Sequence, residues 1–319
     1  MIFKAYFYGA HRLYAWSMMT ALMVAVGLEA WVLTELNVFI GGFWEAIGSY
    51  DSEGTWNIFL PQSFLYDGSF TWIAIILVVN GALLSYFSNK WTFWWRQSIV
   101  EEYIPVYLEK NKDVEGAAQR IQEDTYKFAR YVRDLGRGFL KAVFILIGFI
   151  PVLWTLSDLH WSTGYFVWIA LAISIGGIAI SVWVGRKLPG LEYNNQKVEA
   201  TFRKQLVLLE DDREAFTDKT LFETFDEIRK NYFTLFNNYF AFSVWSRVYW
   251  QTAVFIPLLF ALPQYFAVQF SVGILHQISN AFGKVHESFS YLIDNWTTIT
   301  ELKSVKTRLD EFEETIYDE

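Results

Sequence analysis

Tyr165–Gly185 reads YFVWIALAISIGGIAISVWVG, an uncharged run that ends at Arg186–Lys187. At about 1.5 Å per residue, a helix of this length covers the roughly 30 Å of a bilayer's hydrocarbon core. Strand-forming alternation is absent, and a lipid-facing segment must satisfy its own backbone hydrogen bonds, which a helix does. Working outward, five further apolar segments stand out: 13–40, 70–95, 138–157, 250–270 and the more polar 271–300. The chain has 319 residues, of which 53% are hydrophobic and 19% aromatic. Its mean hydropathy is only +0.20, so the apolar surface is concentrated in these segments. The expectation is an all-α polytopic membrane protein with six spans, forming a single transmembrane domain over 1–319.

Basic residues set the expected orientation. The stretch Gly41–Gln62 carries Glu45, Asp51 and Glu53 but no Lys or Arg, and the turn at Asp158–Gly164 and the junction at Gln264–Ser271 have none either. All 26 basic residues fall on the other side, which is therefore read as cytoplasmic with both termini. The short amphipathic start Ile2–Tyr8 leads into a first span expected to act as an uncleaved anchor. Basic residues are interleaved with Asp and Glu at helical spacing, so no nucleic-acid patch is expected despite the net charge of −8. The absence of Cys excludes disulfides, zinc thiolates and thiol catalysis.

Two intervening stretches, 97–137 and 186–246, show apolar residues at helical spacing among charges and contain Pro only at Pro105 and Pro189. They are expected to extend spans two and four into the cytoplasm and to return into spans three and five. Helical hairpins reaching about 25–40 Å from the membrane give the outline of an ABC-exporter transmembrane domain. No G-x-x-x-x-G-K-[ST] motif occurs, and Asn280–Val285 fails its spacing and final hydroxyl. The tail after the last span is too short for a nucleotide-binding domain. The expected fold is thus the exporter-like membrane domain alone, energised by an ion gradient or by a separate ATPase.

Ionisable groups within spans are functional candidates, because burial is costly unless they are paired or hydrated. Glu29, Glu35 and Asn37 in span one, with His276, Asn280 and Asp294 in span six, are candidates to line a cavity. Glu35 and Asp294 are equally readable as solvated interface residues, and the histidines as simple hydrogen-bonding groups. On the cytoplasmic helices, Glu192, Glu199 and Glu210 are spaced by seven and eleven residues, so at 100° per residue they share one helix face. Glu123 and Asp134, eleven apart, share another. Such ladders can pass protons from one carboxylate to the next. The competing reading is ordinary i,i+4 pairing, for which Arg203, Lys127 and Arg130 stand in place beside Glu199, Glu123 and Asp134. Trp91, Trp94 and Trp95 read mainly as interfacial belt residues.

The segments Val114–Thr125, Lys187–Glu192, Arg229–Phe233 and Tyr291–Thr298 resemble the SbmA/BacA family of inner-membrane peptide-uptake permeases, and the likeness runs from about Arg12 to Glu313. The resemblance implies a homodimer with an exporter-like fold, no ATPase domain and no cofactor. It implies proton-driven import of antimicrobial peptides and peptide-like antibiotics across a bacterial inner membrane. Glu199 and Glu210 match positions of the family's carboxylate row, and Asp134 stands where better-known members carry Glu. The chain also begins later than those members and is expected to lack their extra N-terminal helix.

The leading expectation is a proton-coupled peptide importer. The alternatives are the membrane half of an ABC transporter with a separate ATPase, and a membrane scaffold or receptor. An enzyme is not expected: no nucleophile–base pair or metal-ligand cluster is recognisable, and the four His are scattered.

Overall fold

The computed structural model describes residues 2–110, 116–158, 163–211 and 218–317. Val114 and Glu115 of the family-like segment, most of the expected turn at 158–164, Asp212 and Glu319 lie outside the described residues. Every element among the described residues is helical. In chain order these are α1 (Ile2–Phe7), α2 (Arg12–Gly48), α3 (Ser52–Phe59), α4 (Phe70–Lys110), α5 (Ala117–Gln119), a π-helical turn (Arg120–Asp124), α6 (Thr125–Asp158), α7 (Tyr165–Gly185), α8 (Leu188–Asp211), α9 (Asp218–Phe266), α10 (Val272–Asp294) and α11 (Trp296–Tyr317).

Among the described residues, four stretches are long and apolar enough to cross a membrane: Arg12–Gly48, Phe70–Glu109, Ala117–Asp158 and Tyr165–Glu210. The expected fifth and sixth spans fall on the end of α9 and on α10, which are less apolar. Pro257 and Pro263 lie in that part of α9, and α10 carries His276, Asn280, Lys284, His286 and Glu287.

Several boundaries differ from expectation. The region read as an outer loop from Gly41 is still helix to Gly48, and α3 follows, its first turn capped by Asp51, whose carboxylate accepts from the Gly54 N–H at 2.8 Å. Span four does not continue unbroken into the next helix, because a turn at Arg186–Lys187 separates α7 from α8. Pro189 sits in the first turn of α8, where its missing N–H costs nothing. The sixth apolar segment stops at Asp294 rather than 300, with Asn295 as its C-cap.

The chain divides into two compact units, Met1–Ala172 with Ile256–Glu319, and Ile173–Phe255. In the first, α2, α4, α6 and α10 pack on one another, with α10 laid against both α6 and α2. Small residues set the closeness of these crossings: a Cβ on Gly273 would run into the Gly41 carbonyl oxygen, and one on Gly138 into the Tyr291 ring. A second apolar cluster joins α1, the latter half of α4, the start of α6 and α11 through Tyr6, Trp95, Phe128, Leu309 and Phe312. Trp91 and Trp95 belong to this cluster and are buried, so they are core residues and not a membrane belt. Trp95 stacks on Tyr6 with ring centroids 5.7 Å apart, and its indole N–H donates to the Ile2 carbonyl.

In the second unit, α7 and α9 pack through Trp245, whose indole N–H donates to Ser181 Oγ at 2.9 Å, and through Tyr249, which lies over Gly177. Helix α8 meets α9 where Phe202 and Phe225 approach to 5.8 Å.

Candidate functional site

Helix α8 runs unbroken through Glu192, Glu199 and Glu210, so the regular period that their alignment assumes is present. The half-buried or buried positions of α8 include Glu192, Asn195, Val198, Glu199, Phe202, Gln205 and Leu209, the three-and-four spacing of one helical stripe. Glu192 and Glu199 lie on that stripe, and Glu210 is exposed at its end. The side-chain oxygens of Asn195 and Gln205 are buried on the same stripe without a hydrogen-bond partner among the described residues. The available Glu199–Arg203 pair does not form. Nor does any ion pair among the described residues engage Glu192 or Glu210. The stripe is therefore a seam of carboxylates and amide acceptors with unused hydrogen-bonding capacity.

Glu123 and Asp134 are placed differently. Glu123 lies in the π turn, exposed, 2.6 Å from Lys127. Asp134 is exposed, 2.8 Å from Arg133 and 3.8 Å from Arg130. For these two the i,i+4 pairing is what the fold contains, and the π turn departs from the regular α period that their alignment assumed.

Of the candidates of spans one and six, Asn37 and Asn280 meet directly and the others take different partners. Asn37 is fully buried, and its side-chain oxygen accepts from Asn280 Nδ2 at 2.7 Å. His276 stacks on Trp44, with ring centroids 4.1 Å apart and planes 10° from parallel. Glu29 takes Lys141 Nζ at 2.7 Å on one oxygen. Glu35 lies beside Tyr66, whose phenol is pushed up to about 12 by burial and by the neighbouring Glu35 and Asp67 carboxylates. Asp294 is exposed at the end of α10, apart from the Asn37–Asn280 contact.

The model of the SbmA/BacA-like family matches residues 10–317, nearly the whole chain. The chain belongs to the SbmA/BacA-like family. Family membership and four apolar helices make it an integral membrane protein of a transport family. This SbmA/BacA-like chain is 25% identical over 316 residues to the inner membrane ABC transporter ATP-binding protein YddA of Escherichia coli (strain K12), covering 91% of this chain and 55% of that protein. It is 23% identical over 289 residues to the ABC transporter D family member 2, chloroplastic, of Arabidopsis thaliana, covering 86% of this chain and 40% of that protein. The chain thus spans about half the length of the curated relatives it matches.

In this SbmA/BacA-like chain the fold makes central four charged residues that helical spacing does not single out: Asp124, Arg120, Arg308 and Lys141. Asp124 is fully buried and binds Arg308 and Arg120. Its neighbour Glu123 was singled out instead, because spacing along one helix cannot reveal a partner 184 residues away. Lys141 was counted only for membrane orientation, although it is the sole charge between Gly138 and Ser157, and that isolation was a legible signal.

Proposed function

We propose that this chain is one half of a homodimeric secondary transporter that imports peptides or peptide-like antibiotics across a bacterial inner membrane, driven by the proton gradient. The observation that carries this reading is the α8 seam, where Glu192 and Glu199 stand half-buried beside unpartnered Asn195 and Gln205 oxygens. A carboxylate binds a proton poorly for as long as a cation holds it, whereas one among amide acceptors and water can bind and release it without first losing a partner. Glu199 and Glu210 are the principal carriers in this reading, with Glu192 on the same face. Glu123 and Asp134 act from the preceding helix pair once their arginine and lysine partners move.

In this proposal the six crossings are α2, α4, α6, α7, the end of α9, and α10, forming one exporter-like transmembrane domain. Both termini and the basic residues lie in the cytoplasm. Asn280, His276 and Glu35 supply polar groups to the cavity through which the substrate passes, and the buried Asn37 holds Asn280 from behind. Glu199→Gln and Glu210→Gln are expected to abolish gradient-driven uptake of a dye-labelled antimicrobial peptide while the protein still reaches the membrane. Wild-type uptake in both variants would reject the relay.

The relatives named above are ABC transporter proteins, which supports one further reading, the membrane portion of an ATP-driven transporter. Uptake that requires ATP and survives collapse of the proton gradient would establish it in place of the first.

A further inference from the structure

Glu29 is the one charged residue between Leu13 and Thr34, and Lys141 is the one charged residue between Gly138 and Ser157. The fold brings these two isolated charges together across α2 and α6, with Lys141 Nζ 2.7 Å from Glu29 Oε1. The Glu29 side chain is 16% exposed and that of Lys141 36% exposed. Glu29 Oε2 is buried and receives no hydrogen bond from the described residues. Helix α2 therefore holds a carboxylate with one oxygen neutralised by a lysine and the other left without a donor.

The other cation within a turn of Lys141 on α6 is Arg137, which is half-buried, and Glu29 makes no ion pair with it among the described residues. Helix α4 has no charged residue from Phe70 to Asn89, and Tyr86 is its one titratable group there. On α10, which packs on both α2 and α6, Lys284 is held by Glu287 at 3.2 Å. His276 is stacked on Trp44, Tyr291 donates to the Leu135 carbonyl, His286 is buried beside Phe282, and Asp294 is exposed at the helix end.

We propose that Glu29 is a proton-binding site of the transport cycle, carrying either Lys141 or a proton but not both, so that protonation releases α2 from α6. The step balances simply. A proton arriving from water adds to the Glu29 carboxylate, giving a neutral carboxyl, and the Lys141 ammonium keeps its charge and swings away from α2 toward the membrane interface near the start of span three. Reversal returns the proton to water and restores the pair. The exclusion follows from charge. An ionised carboxylate left between apolar helices without a cation costs several kcal/mol, so it is occupied by one positive charge at a time. A lysine on a flexible four-carbon stem can leave at modest cost, because from the first turn of a span its head can snorkel to the membrane interface.

This assignment rests on proton-driven transport as proposed above, and its test separates the two. The full chain is reconstituted in liposomes with a dye-labelled antimicrobial peptide as probe. Gradient-driven accumulation and gradient-free exchange of labelled for unlabelled peptide are both measured. Glu29→Gln and Lys141→Met are expected to lose accumulation and keep exchange, with Glu29→Asp restoring accumulation. A Glu29→Gln protein that accumulates like wild type overturns the assignment, as does one that is folded yet loses exchange as well. A wild-type chain that ignores the gradient overturns the transport reading itself, and this assignment with it.

A second measurement needs no variant. A hydrophobic carbodiimide adds across a protonated carboxyl to leave an N-acylurea. Peptide mass spectrometry of the wild-type protein should therefore find Glu29 modified, and increasingly so as pH falls. No modification of Glu29 at any pH at which the protein stays folded overturns the proposal.

Discussion

Arg308 of α11 grips both carboxylate oxygens of Asp124 in the π turn, with Nε 3.0 Å from Oδ2 and Nη2 2.8 Å from Oδ1. Arg120, one turn before, adds a third bond to Oδ2 at 3.0 Å. Asp124 is fully buried, so two cations compensate one carboxylate away from water. The pair ties the start of α6 to the helix that follows the last apolar segment, within the cluster that also holds Trp95, Phe128 and Phe312. Tyr103 reinforces the same joint by donating to Glu313 at 2.8 Å.

Breaking this joint from either side unbalances it: without Arg308 the buried Asp124 keeps Arg120 alone, and without Asp124 both half-buried arginines lose their carboxylate. Asp124→Leu or Arg308→Met alone should each destabilise the detergent-purified protein by about 3 kcal/mol. The double variant should cost less than the sum of the two, because the charge that each single change leaves unbalanced is removed with its partner. Thermal unfolding of the four proteins measures the coupling, and strictly additive losses would show that the two residues do not act together.

The α2–α10 crossing gives a test of packing. A Cβ on Gly273 meets the backbone oxygen of Gly41 and the side chain of Glu45, whereas one on Gly283, on the same helix, meets nothing within 4 Å. Gly273→Ala should lower stability by about 1–3 kcal/mol through overpacking. Gly283→Ala should raise it by up to about 1 kcal/mol through helix propensity. Unfolding midpoints that move the same way for both would contradict this placement of α10.

A pH effect is expected in the segment between α3 and α4. The Asp67 carboxyl is held down at about 2 by hydrogen bonds from Ser69, with further bonds from the Gln62 and Ser63 N–H groups. Its folded value is depressed, so its contribution is complete above the ordinary carboxylate value near 3.8 and is lost as pH falls from there toward about 2. Limited proteolysis should find residues 61–69 protected at mildly acidic pH and cleaved more readily near the lower value. Asp67→Asn should be cleaved at both. Equal protection of the variant would show that the carboxylate does not organise this turn.

The apolar runs made the main helices legible, because a helix that must satisfy its own backbone in lipid announces itself by length and composition. Span four is the clearest instance: the uncharged run Tyr165–Gly185 is α7 residue for residue. The shared face of Glu192 and Glu199 was equally legible, since it depends only on an unbroken helical period. Residues whose setting depends on another element were not. Trp91 and Trp95 look like membrane-belt residues until α1 folds over them, and the role of Asp124 is set by Arg308 from the far end of the chain. The i,i+4 rule also misled at Glu199, where Arg203 is available by spacing but is not engaged. Helix α3 was hidden because its Asp51 cap lies in a short, mixed segment without an apolar run.

The most direct measurement is uptake of a dye-labelled antimicrobial peptide into proteoliposomes containing only this chain, with a proton gradient directed inward and no ATP. Accumulation above the external concentration, abolished by an uncoupler and by Glu199→Gln, is the expected result. Accumulation that persists with the uncoupler and appears only when ATP is supplied would contradict it.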